Sequence, residues 1–140
     1  MDLFAGGPGK GLFYERQSPF DFATTLDHLL KEVEGKSWNL SHTYDLQNTL
    51  KKHGKVVLPV TVVSICHPDH SSRILALDDE RMVSSLMPCR ISVYEKHDGF
   101  TYVSWMNSSI VASQLGGIVE QVMTQSTQEV ADIVEKALRV

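Results

Sequence analysis

The residue types that could carry out chemistry are concentrated around the two cysteines of the chain. Cys66, His67 and His70 lie within five consecutive residues, and Cys89 follows further along the chain. Thiolate and imidazole are among the ligands that zinc, copper and iron prefer in proteins. Cys66, Cys89, His67 and His70 could therefore supply four ligands to a metal ion, although their spacing is not that of the established zinc motifs.

The same residues allow two other interpretations. The cysteines could form a redox-active pair, in which case Arg90 or His67 would favour the thiolate form of the reactive cysteine. They could also pack as small apolar side chains, because free cysteine is among the most buried residue types. Cys66, Cys89, His67 and Arg90 are thus the ligand or redox candidates. No catalytic residue can be identified, and whether the protein is an enzyme stays open.

Whether the two cysteines meet depends on the direction of the strands that carry them. Cys66 ends an apolar, β-branched segment that begins at Val56, and Cys89 begins an alternating segment that ends at Glu95. If these strands are parallel, the cysteines lie at opposite ends of the sheet, roughly 30 Å apart. If they are antiparallel, both cysteines lie at the same end, where a disulfide or a shared metal ion becomes feasible. The segment between them permits either arrangement.

The elements that must position these residues are predicted from hydrophobic spacing and turn residues. Strands are expected at 12–17, 37–46, 56–66, 89–95 and 100–106, and helices at 18–34, 45–53, 70–86 and 119–137. Residues 107–117 are expected to form a loop. The mixture of helices with an antiparallel hairpin predicts an α+β fold, in which one mainly antiparallel sheet has helices on one face.

Some individual residues also have predicted places in these elements. Ser18 is expected to cap the first helix, and Asp98-Gly99 is expected to form a hairpin turn. His42 and Trp38 occupy the alternate positions of the second strand that carry its apolar residues, so both are expected in the core.

Composition narrows the classes of function. The chain has 140 residues and a net charge of −4, which suits a single domain spanning residues 1–140. The absence of a basic run argues against a nucleic-acid partner, and no apolar run approaches the roughly 20 residues of a membrane helix. The Gly- and Pro-rich residues 1–10 are expected to be a flexible lead-in without the character of a signal peptide, which predicts a cytoplasmic location.

Several short motifs between Cys66 and Asn107 are similar to those of a known family. They are Cys66-x-Pro68, Leu75-Ala76-Leu77-Asp78, the segment Leu86 to Glu95, Asp98-Gly99 and Trp105-Met106-Asn107. Through them the chain resembles the prokaryotic domain of unknown function 302 family over roughly residues 11–140. His67 stands where that family usually has Asn or another polar residue, and His70 has no counterpart in its pattern. The two cysteines are the residues that carry over.

The resemblance implies an α+β fold with a curved antiparallel sheet of about five strands backed by helices, similar to the TATA-binding-protein-like arrangement. It favours the antiparallel option and so places Cys66 near Cys89. It also implies a small, often dimeric prokaryotic protein, but no activity and no particular cofactor. We therefore expect a homodimer that binds a metal or small ligand at the Cys66/Cys89 end of its sheet. The alternatives are a thiol-redox protein that cycles this pair, or an interaction protein with structural cysteines.

Overall fold

Five antiparallel strands form one open sheet in the order β1-β5-β4-β3-β2. The computed structural model describes residues 11–35 and 37–140, so the predicted flexible segment 1–10 lies outside the described residues. The α+β fold with an antiparallel sheet is confirmed. The strands are β1 (Phe13–Gln17), β2 (Asn39–Asp45), β3 (Val60–Cys66), β4 (Cys89–Glu95) and β5 (Thr101–Met106).

Helices cover one face of this sheet. The longest, α5, contributes a stripe of buried residues at helical spacing and packs against α1, α3 and α4. In the described part of the chain, no helix is long and apolar enough to cross a membrane. The helices are α1 (Phe22–Glu34), α2 (Leu46–Lys52), α3 (Pro68–Leu75), a 3-10 helix (Glu80–Leu86), α4 (Ser108–Ala112) and α5 (Gly117–Ala137).

The apolar interior consists of two clusters. The main cluster joins the covered face of β3, β4 and β5 to α1 and the second half of α5, and Val63, Ile65 and Ile91 are fully buried in it. The smaller cluster lies around α3, the 3-10 helix, α4 and the first half of α5. Met87 packs against the smaller cluster and Cys89 against the main one. The segment before β4 therefore lies at the junction of the two clusters.

The first helix begins later than predicted, and Ser18 does not cap it. Asp21 is the N-cap, and its carboxylate accepts a hydrogen bond of 2.8 Å from the Thr24 N–H. Ser18 instead continues the sheet, because its N–H donates to the Thr101 carbonyl. Its buried hydroxyl lies 2.6 Å from the Thr25 hydroxyl. The Ser18 hydroxyl thus contacts the first turn of α1 through Thr25 and does not cap the helix.

The prediction that β2 is half buried, with His42 in the core, was wrong. Every residue of β2 is exposed, including Leu40, His42 and Tyr44, because β2 is an edge strand of the sheet. A register shift between Leu40 and His42 also interrupts the alternation on which the prediction relied. Trp38, just before the strand, is buried as expected.

Three predicted boundaries also differ. The strand predicted from Val56 begins only after Pro59, which lacks the N–H that a paired strand needs. The helix predicted at 70–86 divides into α3 and the 3-10 helix, and the Arg81 guanidinium donates to the Leu75 carbonyl at the end of α3. The loop predicted at 107–117 contains α4. The Asp98-Gly99 turn agrees with the prediction, and Gly99 has the positive φ of 85° that such a turn uses.

Candidate functional site

The junction of β3 with α3 turns two histidines into the protein interior. His67 is the N-cap of α3, and Pro68 occupies the first turn, where its missing N–H costs nothing. The His67 carbonyl accepts hydrogen bonds from the N–H groups of His70 and Ser71, both at 3.0 Å. The His67 imidazole makes no capping hydrogen bond. It is therefore not committed to the backbone of the helix it begins.

His67 and His70 stack on one another against a tryptophan. Their ring centroids are 3.8 Å apart and their planes differ by 19°. The Trp38 ring packs edge-on against His67 at 5.3 Å and against His70 at 5.9 Å. The two histidines are 9% and 8% exposed, respectively. The His67 Nδ1 atom is buried and has no hydrogen-bond partner among the described residues.

Glu129 on α5 completes the cluster. Its Oε1 and Oε2 atoms lie 3.0 and 3.1 Å from the His70 Nε2 atom, and the Trp38 indole N–H donates to Oε1 at 3.1 Å. Burial disfavours the charged carboxylate, but the hydrogen bond and charge of His70 and the Trp38 hydrogen bond outweigh it and lower the pKa of Glu129. Glu129 is thus held as an anion beside the two imidazoles.

The three side chains have donor types that transition-metal ions prefer, and they lie close together. His67, His70 and Glu129 each offer one ligand atom, and these atoms lie within 4.8 Å of one another. Ligand atoms at about 2.0–2.2 Å from a tetrahedral zinc ion lie about 3.3–3.6 Å apart, somewhat more than the 3.0 Å between the His70 Nε2 atom and the Glu129 Oε1 atom. We call these three residues the His-Glu cluster. Neither cysteine belongs to it.

The two cysteines lie beside this cluster, at the same end of the sheet. Because β3 and β4 are antiparallel, Cys89 pairs with Ile65, the residue before Cys66. Both are free thiols and both are partly buried. The Cys66 sulfur lies 3.4 Å from the Ser71 hydroxyl. The antiparallel arrangement that the family resemblance favoured is therefore confirmed.

The environment of Cys89 does not favour a thiolate. Its burial, together with the neighbouring Cys66, raises the pKa of Cys89 to about 11. This direction is opposite to the one that a reactive thiol needs at neutral pH. Arg90, which was a candidate for activating a thiol, is exposed and has its guanidinium 6.0 Å from the ring centroid of Tyr44.

A small cavity of about 40 Å³ connects the cysteines with the histidines. Trp38, Cys66, His67, His70 and Cys89 all line it. A cavity of this size admits water molecules or an ion, and it is well below the range of about 300–1,000 Å³ that is usual for small-molecule sites. The four sequence-predicted ligands thus surround one cavity, although only the histidines join Glu129 in the His-Glu cluster.

A larger cavity of about 380 Å³ lies next to the small one. The two share a wall that includes Met87, Pro88 and Cys89. The larger cavity forms where β4 and β5 separate, since their pairing ends at Ile91 and Trp105 while β4 remains paired with β3 as far as Cys89. Its volume lies within the range of about 300–1,000 Å³ that is usual for small-molecule sites.

Sequence reasoning identified the histidines but missed Glu129. Glu129 lies on a helix far along the chain, and nothing in its local sequence distinguishes it from a solvated glutamate of an amphipathic helix. Only the packing of α3 against α5 brings its carboxylate to His70. Trp38 was expected to be buried, but its role as hydrogen-bond donor to Glu129 also depends on this packing.

The fold and this site define a protein with a five-stranded antiparallel sheet and a partly buried His-Glu cluster at one end of it. Residues 14–139 match the family model described as Domain of unknown function DUF302. The chain therefore belongs to the DUF302 family, as the sequence resemblance indicated.

A solved structure has the same fold. It is the crystal structure of the uncharacterized conserved protein DUF302 from Bacillus stearothermophilus, with a TM-score of 0.81 and 15% sequence identity. The similarity covers 91% of this chain and 98% of that chain. At this identity the comparison supports the fold alone. No curated protein matches the chain.

Proposed function

We propose that this protein is a binding module for a transition-metal ion, with His67, His70 and Glu129 as ligands. The observation that carries the proposal is the approach of two imidazoles and one carboxylate to within 4.8 Å of one another. Imidazole nitrogen favours zinc, copper or nickel over magnesium or calcium, which prefer oxygen ligands. The site lies at the Cys66/Cys89 end of the sheet, where the sequence predicted a metal or small ligand.

Two further observations support this assignment. The His67 Nδ1 atom is buried without a partner among the described residues, whereas buried polar atoms are normally hydrogen-bonded. Trp38 donates to Glu129, and such outer hydrogen bonds orient the carboxylates of metal sites. Three protein ligands leave at least one position for water or an exogenous ligand. Cys66 lines the same cavity and is a candidate for an additional ligand.

Calorimetric titration of chelator-treated protein with Zn²⁺ tests the proposal. We expect one ion per chain, and we expect His70→Gln and Glu129→Gln each to weaken binding by roughly tenfold or more, as even outer-sphere changes do at such sites. His97→Gln, in the exposed hairpin turn, and Glu120→Gln, on the same helix as Glu129, are the matched controls. The proposal fails if Zn²⁺, Cu²⁺ and Ni²⁺ do not bind stoichiometrically, or if all four variants bind like the wild type.

The part played by Cys66 is tested separately with Co²⁺. A thiolate ligand gives a charge-transfer band in the near ultraviolet that histidine and carboxylate ligands do not give. If Cys66 joins the site, this band appears on Co²⁺ binding and is lost in Cys66→Ser. A Co²⁺ complex without the band excludes Cys66 as a ligand.

The alternative function is a thiol-redox protein that cycles Cys66 and Cys89 between dithiol and disulfide. Its support is that both cysteines line one cavity. Thiol counting before and after mild oxidation tests it, with Cys66→Ser as the control. Recovery of both thiols after oxidation would exclude this alternative, whereas their joint loss without dimer formation would favour it over metal binding.

We also propose that the protein is a prokaryotic, cytoplasmic homodimer without a nucleic-acid partner. The net charge of −4 supports the last point. The exposed edge strand β2 offers a surface on which two copies could pair. Sedimentation across a range of concentrations measures the oligomeric state, and Leu40→Lys, which places a charge on that edge, is expected to favour the monomer. A monomer at all concentrations would contradict the proposal.

A further inference from the structure

The larger cavity has a lining unlike that of the His-Glu cluster. Its wall is mainly apolar, with Phe13, Met87, Met106, Trp105 and Met123 among the lining residues. Methionine side chains are flexible and adapt to ligands of different shape. With a volume of about 380 Å³, the cavity suits a molecule with one ring or a short alkyl chain.

Arg90 gives this cavity its electrostatic character. Among the residues that the structure describes, it is the one lining residue with a formal charge, and no lining residue is acidic. Its guanidinium has no carboxylate partner within salt-bridge distance among those residues. It lies near the face of Tyr44, which leaves its N–H groups available to a ligand. The cavity therefore favours an anion.

The remaining polar groups of the wall are compatible with the same ligand. Ser92 lies on β4 two residues after Arg90, and since alternate residues of a strand share a face, both side chains lie on the same face of the sheet. A hydroxyl there can donate a second hydrogen bond to a carboxylate. Cys89 adds no negative charge, because its thiol stays protonated at neutral pH.

We propose that this cavity binds a small organic carboxylate, with its apolar body in the opening where β4 and β5 separate. Its carboxylate would lie on Arg90, on the face of the sheet opposite to the one that packs against α5. Arginine matches a carboxylate with two parallel N–H···O hydrogen bonds, which a neutral ligand of the same shape cannot accept equally well. This site is separate from the His-Glu cluster. It does not depend on whether that cluster binds a metal.

The two tryptophans of the chain allow the two sites to be observed separately. Trp105 lines the larger cavity, whereas Trp38 lines the small one and donates to Glu129. A ¹H–¹⁵N spectrum therefore contains one indole signal for each site. We expect octanoate to shift the Trp105 signal in a saturable manner and to leave the Trp38 signal nearly unchanged. Zn²⁺ is expected to act on the Trp38 signal.

Substitution of Arg90 tests the anionic part of the proposal. We expect Arg90→Gln to weaken octanoate binding roughly tenfold, as the loss of a charge-assisted hydrogen bond does. Arg90→Lys should retain part of the affinity, and Arg139→Gln, an exposed arginine near the C-terminus, should bind like the wild type. Octanol has the same chain without the charge, and it should bind the wild type more weakly than octanoate does. Its affinity for Arg90→Gln should equal its affinity for the wild type.

Three results would overturn the proposal. The first is the absence of a saturable Trp105 shift with octanoate, 3-phenylpropionate and benzoate at millimolar concentrations. The second is equal binding of octanol and octanoate by the wild type, and the third is unchanged octanoate binding by Arg90→Gln. Because Arg90 is exposed, its replacement is not expected to disturb folding, and the dispersion of the same spectra verifies this. A Zn²⁺ titration that fails leaves these outcomes unaffected.

Discussion

Replacement of Glu129 separates a structural role of the His-Glu cluster from metal binding. Glu129 accepts hydrogen bonds from the Trp38 indole at 3.1 Å and from His70 at 3.0 Å. Glu129→Leu removes the acceptor for both donors. Glu129→Gln keeps one carbonyl oxygen of the same reach but removes the negative charge. Neither variant provides the carboxylate that we propose as a metal ligand.

The cost in stability follows from these contacts. A buried donor left without an acceptor costs about 1–3 kcal/mol. Because the Glu129 side chain is 32% exposed, water can reach the vacated position, and the lower end of this range applies to each donor. Glu129→Leu leaves two donors, Trp38 and His70, without an acceptor, so we expect it to lower the free energy of unfolding of the metal-free protein by about 2 kcal/mol. Glu129→Gln, which can still accept from Trp38, should lose about 1 kcal/mol.

Urea unfolding with and without Zn²⁺ then distinguishes the two roles. A ligand at a hundred times its dissociation constant stabilises the folded state by about 2.7 kcal/mol if it binds only that state. We expect this gain for the wild type, and about 1.4 kcal/mol or less for the Glu129 variants at the same concentration if they bind Zn²⁺ tenfold or more weakly. Equal stabilisation of the wild type and Glu129→Gln by Zn²⁺ would refute Glu129 as a ligand. Equal stability of all three metal-free proteins would show that the hydrogen bonds of Glu129 do not stabilise the fold.

The low pKa of Glu129 adds a pH signature to the same experiment. Burial opposes ionisation, but the contacts with His70 and Trp38 outweigh it, so that the folded-state pKa lies below the ordinary value of 4.5. A group of this kind stabilises the fold above its unfolded pKa, and the contribution is lost as the pH falls through its folded pKa. The difference in stability between wild type and Glu129→Gln should therefore be constant near pH 7 and shrink below about pH 4.5. A difference that does not depend on pH would contradict this assignment.

Three further outcomes are expected. Cys89 should react slowly with iodoacetamide at pH 8 in Cys66→Ser, with a rate that still rises above pH 9.0, because burial, the larger cause of its raised pKa, remains in this variant; a rate plateau near pH 8 would contradict this. Asp21→Ala should cost about 1 kcal/mol in urea unfolding through loss of the α1 N-cap, whereas Ser18→Ala is not expected to act through capping. Ile91→Ala should cost about 2–5 kcal/mol because Ile91 is fully buried between the sheet and the helices; a loss below 1 kcal/mol would place it outside the core.

Local patterns predicted those parts of the fold that local interactions determine. The alternation of Cys89 to Glu95, the Asp98-Gly99 turn and the long stripe of α5 each appear in the structure as predicted. The alternation of β2 was misleading, because in this edge strand the apolar positions are exposed as well as the polar positions. Position within the sheet, and not the pattern of the strand itself, decides how deeply His42 and Tyr44 are buried.

The site was predicted only as far as its residues are neighbours in sequence. His67 and His70 were recognised together because they occupy one turn. Glu129 could not be found, because its contact with His70 spans 59 positions of the chain and depends on how α5 lies across α3. The direction of β3 relative to β4 was likewise open from the residues, and only the family resemblance favoured the antiparallel pairing that the structure has.

The antiparallel pairing gives the two cysteines different surroundings although it brings them to the same end of the sheet. Cys66 lies beside the histidines and contacts Ser71, so it faces the polar cluster. Cys89 packs against the main apolar core and lines both cavities, and its raised pKa keeps it uncharged there. A neutral thiol at that position adds no charge to either cavity. Of the two cysteines, Cys66 is therefore the better placed to act together with the histidines, whereas Cys89 forms part of the wall between the two cavities.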